Sequence, residues 1–117
     1  MGTLKLTNLL VRSNLGSEPH LQDYQQDLLV NITIKYSSTL GEESDDPEDA
    51  LDVIRLTKEV TGRAESGHFN LLEAFTRMVL NTVLEFPRVE RASVKVKKVK
   101  SIEFSGELSF ILSGSNR

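Results

Sequence analysis

The sequence contains no cysteine and no tryptophan, and it has only two histidines and three prolines. Without cysteine, the chain cannot build a disulfide framework or a thiolate metal site. His20 and His68 are too few for a three-histidine zinc site. The glycine-rich phosphate loop, the GxSxG nucleophile turn and the HExxH zinc motif are also absent from the sequence. These absences exclude many classes of enzyme.

Long apolar stretches are missing as well, since no run approaches the roughly 20 residues that a membrane-spanning helix needs. The N-terminal stretch MGTLKLTNLL lacks the basic start and the cleavage site of a signal peptide. We therefore expect a cytoplasmic protein with no membrane partner. The net charge of −3 gives no support to nucleic-acid binding. A length of 117 residues predicts a single domain over residues 1–117.

Apolar side chains alternate with polar ones in four segments, which is the pattern of half-buried strands. The predicted strands cover residues 3–14, 27–36, 91–100 and 102–112. In the second strand the residues expected on the buried face are Val30, Ile32, Ile34 and Tyr36. The last two strands predict a hairpin with its turn near Lys100 and Ser101.

Two helices are predicted between the strand pairs. Asp46 is a suitable N-cap and Pro47 suits the first helical position, so a helix is expected from there to near Gly67. Asn70 is expected to start the second helix. Its apolar stripe consists of Leu72, Phe75, Val79 and Val83.

The element order is therefore ββααββ, which predicts an α+β fold. In this fold a four-stranded antiparallel sheet carries both helices on one face. The two edges of such a sheet expose unpaired backbone groups, and joining edges between subunits would protect them. Oligomerisation is therefore expected.

Glu73, in the stretch GHFNLLEAFTRMV, has two interpretations. In the structural one it follows Asn70 by three positions and completes a capping box at the helix start. In the functional one it lies close to the apolar stripe and accepts paired hydrogen bonds from a planar N–H/NH₂ edge, as on guanine or a pterin. The sequence pattern alone favours the cap.

Lys98 interrupts the alternation of the third strand, because the phase that buries Val94 and Val96 puts Lys98 on the apolar side. One interpretation is that the strand ends or bulges there and the side chain reaches back to water. The other is that Lys98 is partly withdrawn from water and acts in acid–base chemistry.

Several stretches together resemble the dihydroneopterin aldolase family, and within it the dihydroneopterin triphosphate 2′-epimerase branch. They are Gln26-Asp27 leading into VNITIKY, SDDPEDALD at 44–52, HFNLLEAFT at 68–76 and ASVKVKK at 92–98. The resemblance spans nearly the whole chain in order. It is carried chiefly by the LLE stretch before a helix together with a lysine that ends the third strand.

The resemblance implies a tunnelling fold, in which four subunits join their sheets into a barrel and two rings stack as an octamer. Pterin pockets would lie between subunits and need no metal and no organic cofactor. Glu73 matches the glutamate that anchors the pterin ring, and Lys98 matches the catalytic lysine. Leu71 and Leu72 would complete the slot, together with Asp52 and Val53 from the neighbouring subunit.

The implied activity is retro-aldol chemistry on dihydroneopterin or its triphosphate, in folate or tetrahydropterin metabolism. The enzyme would be an isomerase that forms the 2′-epimer, a lyase that releases glycolaldehyde, or both. Two departures favour an alternative, a non-catalytic pterin- or purine-binding paralogue or an assembly subunit. Val53 stands where the family has a tyrosine, and Leu21 where it has a glutamate; Glu18 or His20 could replace that glutamate if the loop is shifted.

Overall fold

The computed structural model describes residues 1–16, 25–98 and 106–116. The predicted turn at Lys100 and Ser101, and the positions of Glu18, His20 and Leu21, lie outside these residues. In chain order the elements are β1 (Gly2–Leu15), β2 (Gln25–Tyr36), α1 (Thr39–Ser44), a 3₁₀ turn (Pro47–Asp49), α2 (Val53–Ser66), β3 (His68–Phe69), α3 (Leu72–Leu84), β4 (Val89–Lys98) and β5 (Leu108–Ser115).

The sheet has the strand order β3-β1-β2-β4-β5. Antiparallel ladders join β1 to β2, β2 to β4 and β4 to β5, which agrees with the predicted antiparallel arrangement of the four long strands. The predicted count of four strands and the order ββααββ are wrong, because β3 adds a short parallel strand beside β1. Two residues are too few for alternation to be visible in a sequence. Only the pairing of His68 and Phe69 with Asn14 and Leu15 creates this strand.

The predicted start of the first long helix is also wrong. Asp46 caps only the 3₁₀ turn, and its carboxylate accepts a hydrogen bond from the Glu48 N–H at 3.0 Å. The backbone then becomes extended at Ala50, which allows Leu51 to enter the core. Helix α2 therefore begins only after Asp52, whose side chain provides a second cap.

Helices α2 and α3 pack on one face of the sheet, as predicted, and enclose the core with it. We call this side the helix face and the other side the open face. In β2, Val30, Ile32 and Ile34 are buried on the helix face, which confirms the predicted phase. The stripe of α3 is confirmed by the burial of Phe75, Val79 and Val83, while Leu72 packs at the edge of the core.

A bulge in β1 reverses the alternation that the sequence suggests. Asn8 has φ 58°, and the pairing with β2 shifts between Leu6 and Leu9. The Asn8 N–H donates to the Asn31 side-chain oxygen at 3.0 Å, which holds the bulge. Because the bulge adds a residue, Ser13 turns inward and is fully buried. Within the described ranges no helix is long and apolar enough to cross a membrane.

Candidate active site

Lys98 is the last residue of β4 and is half-buried on the helix face. It pairs with the fully buried Leu28 on β2 and with Leu108 on β5. The ladder with β2 runs without a register shift from Arg91 to Lys98, so no bulge precedes Lys98, whereas β4 does end at Lys98, as the first interpretation allows. The phase that puts Lys98 on the apolar side of the sheet is confirmed.

The start of α3 is held in place by β3. Phe69 pairs with Leu15 at the end of β1, and its ring meets that of Phe75 edge-on at a centroid distance of 5.3 Å. These contacts anchor the first turn of α3 beside the end of the sheet. The glutamate and the two leucines singled out in the sequence all lie in this anchored turn.

Glu73 is not part of a capping box, which corrects the structural interpretation. The N-cap is Leu71, in extended conformation at φ −125° and ψ 144°, with no side-chain cap hydrogen bond. Asn70 therefore precedes the N-cap, and Glu73 is the second residue of the helix rather than the third. The Glu73 side chain is exposed and has no hydrogen bond or ion pair with any residue that the structure describes. Its charge remains favourable near the helix N-terminus.

The first turn of α3 combines an acceptor, donors and an apolar surface. The backbone N–H groups at a helix start have no partner within the helix, and Glu73 belongs to this same first turn. Leu71 is 56% exposed beside this turn. A flat heterocycle that presents an N–H/NH₂ edge and a carbonyl oxygen would match this arrangement, because the carboxylate accepts from the first and the N–H groups donate to the second.

Glu73 and Lys98 lie at the same end of the domain. Gly114 of β5 packs against Leu80 and Leu84 of α3 and pairs with Ala92 of β4. From Leu84, α3 extends back to Glu73 over about 16 Å. From Ala92, β4 extends to Lys98 over about 20 Å. The ring contact between Phe69 and Phe75 also directs the N-terminal end of α3 toward the end of β1, with which Phe69 pairs. Glu73 and Lys98 therefore approach the same edge of the helix face.

Asp52 and Val53 lie at the opposite end of the helix pair. Asp52 caps α2 by accepting the Arg55 N–H at 3.0 Å, and Val53 is half-buried with its carbonyl bonded to the Thr57 hydroxyl at 2.8 Å. The Arg55 guanidinium lies over the Phe86 ring at 5.1 Å, beyond the far end of α3. The helix between Glu73 and that end spans about 18 Å. One copy of the chain therefore does not bring Asp52 and Val53 to Glu73 and Lys98.

Two further polar groups lie near Lys98, Gln26 from the stretch that carries the resemblance and Ser13, which the sequence pattern did not single out. Gln26 and Ser13 pair with each other on the helix face, two residues along β2 from the partner of Lys98. The Gln26 amide donates to the Leu15 carbonyl, and the buried Ser13 hydroxyl has no partner among the described atoms. The simple alternation of β1 puts Ser13 outside, and only the Asn8 bulge turns it inward. Within the described ranges no cluster of histidine, aspartate or glutamate could hold a metal ion.

The perturbed pKa values of the described residues belong to a structural ion pair away from this end. Arg63 on α2 donates to both carboxylate oxygens of Glu85, at 2.6 and 2.9 Å, and also to the Thr82 hydroxyl at 3.0 Å. The hydrogen bonds to Arg63 lower the pKa of Glu85, and the same bonds raise the pKa of Arg63. This pair ties α2 to α3.

The comparisons along the sequence indicate one family. The family model for dihydroneopterin aldolase matches residues 4–110. The chain is 32% identical over 114 residues to the dihydroneopterin triphosphate 2′-epimerase of Pseudomonas aeruginosa, covering 97% of this chain and 93% of the relative. The corresponding protein of Escherichia coli K12 is 30% identical over 110 residues, with coverages of 94% and 92%.

Solved structures show the same fold. The Escherichia coli dihydroneopterin aldolase in complex with neopterin superposes with a TM-score of 0.90 at 20% identity, covering 98% of this chain and all of that one. A Burkholderia dihydroneopterin aldolase bound to guanine gives a TM-score of 0.82 at 17% identity, with coverages of 99% and 92%. The family model over residues 4–110 and the epimerases that match along the sequence establish that this chain belongs to the dihydroneopterin aldolase family.

Proposed function

We propose that this protein is a pterin-processing enzyme that performs metal-free retro-aldol chemistry on dihydroneopterin or its triphosphate. The observation that carries the proposal is the state of Glu73. Its carboxylate is exposed in the first turn of α3, is not used as a cap, and lies at the same end of the helix face as the half-buried Lys98. Membership of the family supports the substrate class.

Glu73 would hold the pterin ring. Its two oxygens accept the N–H and NH₂ groups of the amino-pyrimidinone edge, and the first-turn N–H groups near Leu71 and Leu72 donate to the ring carbonyl. The exposed Leu71 covers part of the ring. Such bidentate contacts fix the orientation of the side chain that reacts. The neopterin and guanine of the two solved relatives share this kind of edge.

Lys98 would carry the proton transfers, through a water molecule. Removal of the 2′-hydroxyl proton forms the C2′ carbonyl and breaks the C1′–C2′ bond, and the electron pair moves into the electron-poor pterin ring. Protonation at C1′ then yields 6-hydroxymethyl-dihydropterin and releases glycolaldehyde. If the aldehyde fragment instead re-adds through its other face, the product is the 2′-epimer. The ammonium also stabilises the negative charge that develops.

The complete site would be formed between two copies of the chain. Asp52 and Val53 would come from a neighbouring subunit, because within one chain they lie at the opposite end of α3. The edge strand β5 and the first half of β1 offer unpaired backbone groups for joining sheets. We therefore propose a homo-oligomer in which four subunits form a ring and two rings stack.

Epimerisation is the outcome we favour, because the two curated relatives described above are both named as 2′-epimerases. Their named substrate carries a triphosphate. Lys95 and Lys97 alternate with the buried Val94 and Val96 and so lie on the open face, opposite to Lys98. We therefore expect Lys95→Gln to leave the affinity for dihydroneopterin triphosphate unchanged, which titration at low and physiological salt would test.

The second candidate function is binding of a pterin or purine without turnover. Val53 favours it, because the tyrosine that the family has at this position would supply a hydroxyl for proton transfer. The half-buried Val53 cannot supply that group.

One assay separates the two candidates. Purified protein is incubated with dihydroneopterin or its triphosphate, and the 2′-epimer and the aldehyde are followed by chromatography. The enzyme forms product, and Lys98→Ala abolishes it. If ligand binds in a Glu73-dependent way without any product, the binding protein is the correct function. If nothing binds, both candidates are wrong.

A further inference from the structure

The open face of the sheet has a charge opposite to that of the whole chain. The chain has a net charge of −3, but the charged residues that alternate with buried ones toward the open face are mostly cations. They are Lys5, Arg12, Asp27, Lys35, Arg91, Lys95 and Lys97. Arg12 is paired with Asp27 at 3.0 Å and Lys97 with Glu107 at 3.4 Å. The remaining cations have no such partner among the described residues.

Two of these cations face each other directly. Lys35 of β2 pairs with Arg91 of β4 in the antiparallel ladder, so their side chains leave the same face from adjacent strands. Like charges in directly opposed positions destabilise a sheet. Lys5 adds a third cation one row away, because it pairs with Thr33, two residues before Lys35. An arrangement with this internal repulsion is stabilised when an anion binds between the cations.

Hydroxyl groups surround this pair of cations. Thr33, Ser93 and Ser113 form one row across three strands, directly beside Lys35 and Arg91. These five residues line a shallow depression together with Ala92 and Gly114, and its volume is ≈ 200 Å³. This is smaller than the roughly 300 Å³ at which pockets for drug-sized ligands begin. The depression is large enough for a small tetrahedral oxyanion and too small for a drug-sized ligand.

Carboxylates do not compete for the depression. None of the residues that line it is acidic. Asp27 is paired with Arg12 in a more distant row, and Glu90, the residue before Arg91, has an interaction of its own. The cations of the depression are therefore available to a ligand from solution.

We propose that the open face carries a phosphate-binding site, in which Arg91 and Lys35 contact the anion and the hydroxyls of Thr33, Ser93 and Ser113 donate to it. The planar guanidinium binds two phosphate oxygens at once, and the ammonium adds a point charge. The ligand class is a free or terminal phosphate group. This site lies on the face of the sheet opposite to Lys98, so it is separate from the proposed pterin pocket.

The test is calorimetric titration of the whole protein with inorganic phosphate and with inorganic triphosphate, at low and physiological salt. We expect saturable binding that weakens as salt increases. Arg91→Gln should reduce the affinity about tenfold or more, and Ser113→Ala should reduce it less. Lys58→Gln is the matched control, since Lys58 is exposed on α2, away from the sheet, and it should leave binding unchanged.

Thermal unfolding gives an independent readout. In phosphate-free buffer of low ionic strength, Lys35→Gln should raise the Tm slightly, because it removes the like-charge pair. The same variant should lose most of the Tm increase that phosphate gives to the wild-type protein. A purely structural lysine would show neither change.

Three results would overturn the site. They are an absence of binding to the wild-type protein, wild-type affinity in Arg91→Gln, and an equal loss of affinity in Lys58→Gln, which would indicate unspecific attraction. Lys98→Ala and Glu73→Gln distinguish this site from the pterin pocket. They should leave the affinity for inorganic triphosphate unchanged, and a loss in either variant would assign the phosphate to the pterin pocket instead.

Discussion

The two ends of α3 differ in how their charged groups are used. At the C-terminal end, Glu85 is held by Arg63 through two hydrogen bonds, and Arg63 also contacts Thr82. At the N-terminal end, Glu73 is exposed, and Leu71 beside it is 56% exposed. Both ends belong to one helix of 13 residues, so the difference does not come from local helix propensity.

This comparison teaches that the two ends serve different purposes. Paired charges fix α2 against α3 and contribute to folding, whereas the unpaired carboxylate of Glu73 contributes little to folding, and in the proposed function it binds the pterin. Substitutions at the C-terminal end should therefore change stability and preserve activity. Substitutions at the N-terminal end and at Lys98 should reduce activity and preserve stability.

The largest expected effect is that of Lys98→Ala on turnover of dihydroneopterin. Loss of a general acid–base group should reduce kcat by about 10²–10⁴-fold, with little change in Tm because the side chain is only half-buried. Lys95→Ala is the matched control, since it removes the same side chain from the same strand but on the open face. Equal activity losses in both variants would contradict the role of Lys98.

A mixing experiment tests whether the site is shared between subunits. Lys98→Ala and Val53→Arg should each be nearly inactive. Rings assembled from an equal mixture should regain about one active site in four, because some sites combine an intact Lys98 with a neighbour's intact Val53. Activity is measured after co-refolding, with each variant refolded alone as the control. If the mixed rings stay inactive while both variants assemble normally, the shared site is wrong.

Glu73→Gln should weaken pterin binding without a comparable loss of stability. A charged hydrogen bond contributes about 1.5–3 kcal/mol, so the Kd for neopterin should rise about 10–100-fold. The free energy of unfolding should fall by no more than about 1 kcal/mol, since only the interaction with the helix dipole is lost. Glu43→Gln in α1 provides the control for an exposed helical glutamate. A larger change in stability than in binding would restore the capping interpretation.

The smallest effect concerns Glu85 and depends on pH. Arg63 lowers the pKa of Glu85 below its ordinary value of 4.5, mainly through the hydrogen bonds between them. The pair therefore contributes stability above that value, and the contribution is lost as the pH falls through the lowered pKa. Glu85→Gln should reduce the Tm at neutral pH, and the difference from wild type should disappear in acid. Glu65→Gln, without such a partner among the described residues, should show no pH-dependent difference, and turnover should be unchanged in both.

Strand phase could be predicted because burial repeats every two residues. The core must receive every second side chain of a strand, here Ile32 and Ile34 in β2 and Val94 and Val96 in β4. The same alternation in β4 also determined the face of Lys98. In β1 the alternation that begins at Leu4 and Leu6 does not extend to Ser13, which is buried. The bulge at Asn8 depends on a hydrogen bond to Asn31 on another strand, and no local pattern in β1 reveals it.

The helix starts were harder to predict, because several residues in a row could act as caps. Asp46 and Asp52 both act as caps. Asp46 caps only the short 3₁₀ turn, whereas Asp52 caps α2. Asn70 has the preferred chemistry for a cap, yet α3 begins after Leu71. The preceding β3 pairs with the end of β1, and this tertiary contact determines where the chain turns into the helix.

The sequence by itself determined the main strands and the apolar stripe of α3, because periodic burial is a local property, and residue chemistry marked Glu73 and Lys98 as unusual. Tertiary structure decided that Glu73 is not a cap, that Lys98 approaches the same end of the domain, and that Asp52 and Val53 lie at the other. Tertiary structure also placed Lys35 directly opposite Arg91 on adjacent strands. These relations depend on strand register and helix direction, which are set by contacts between residues distant in the chain.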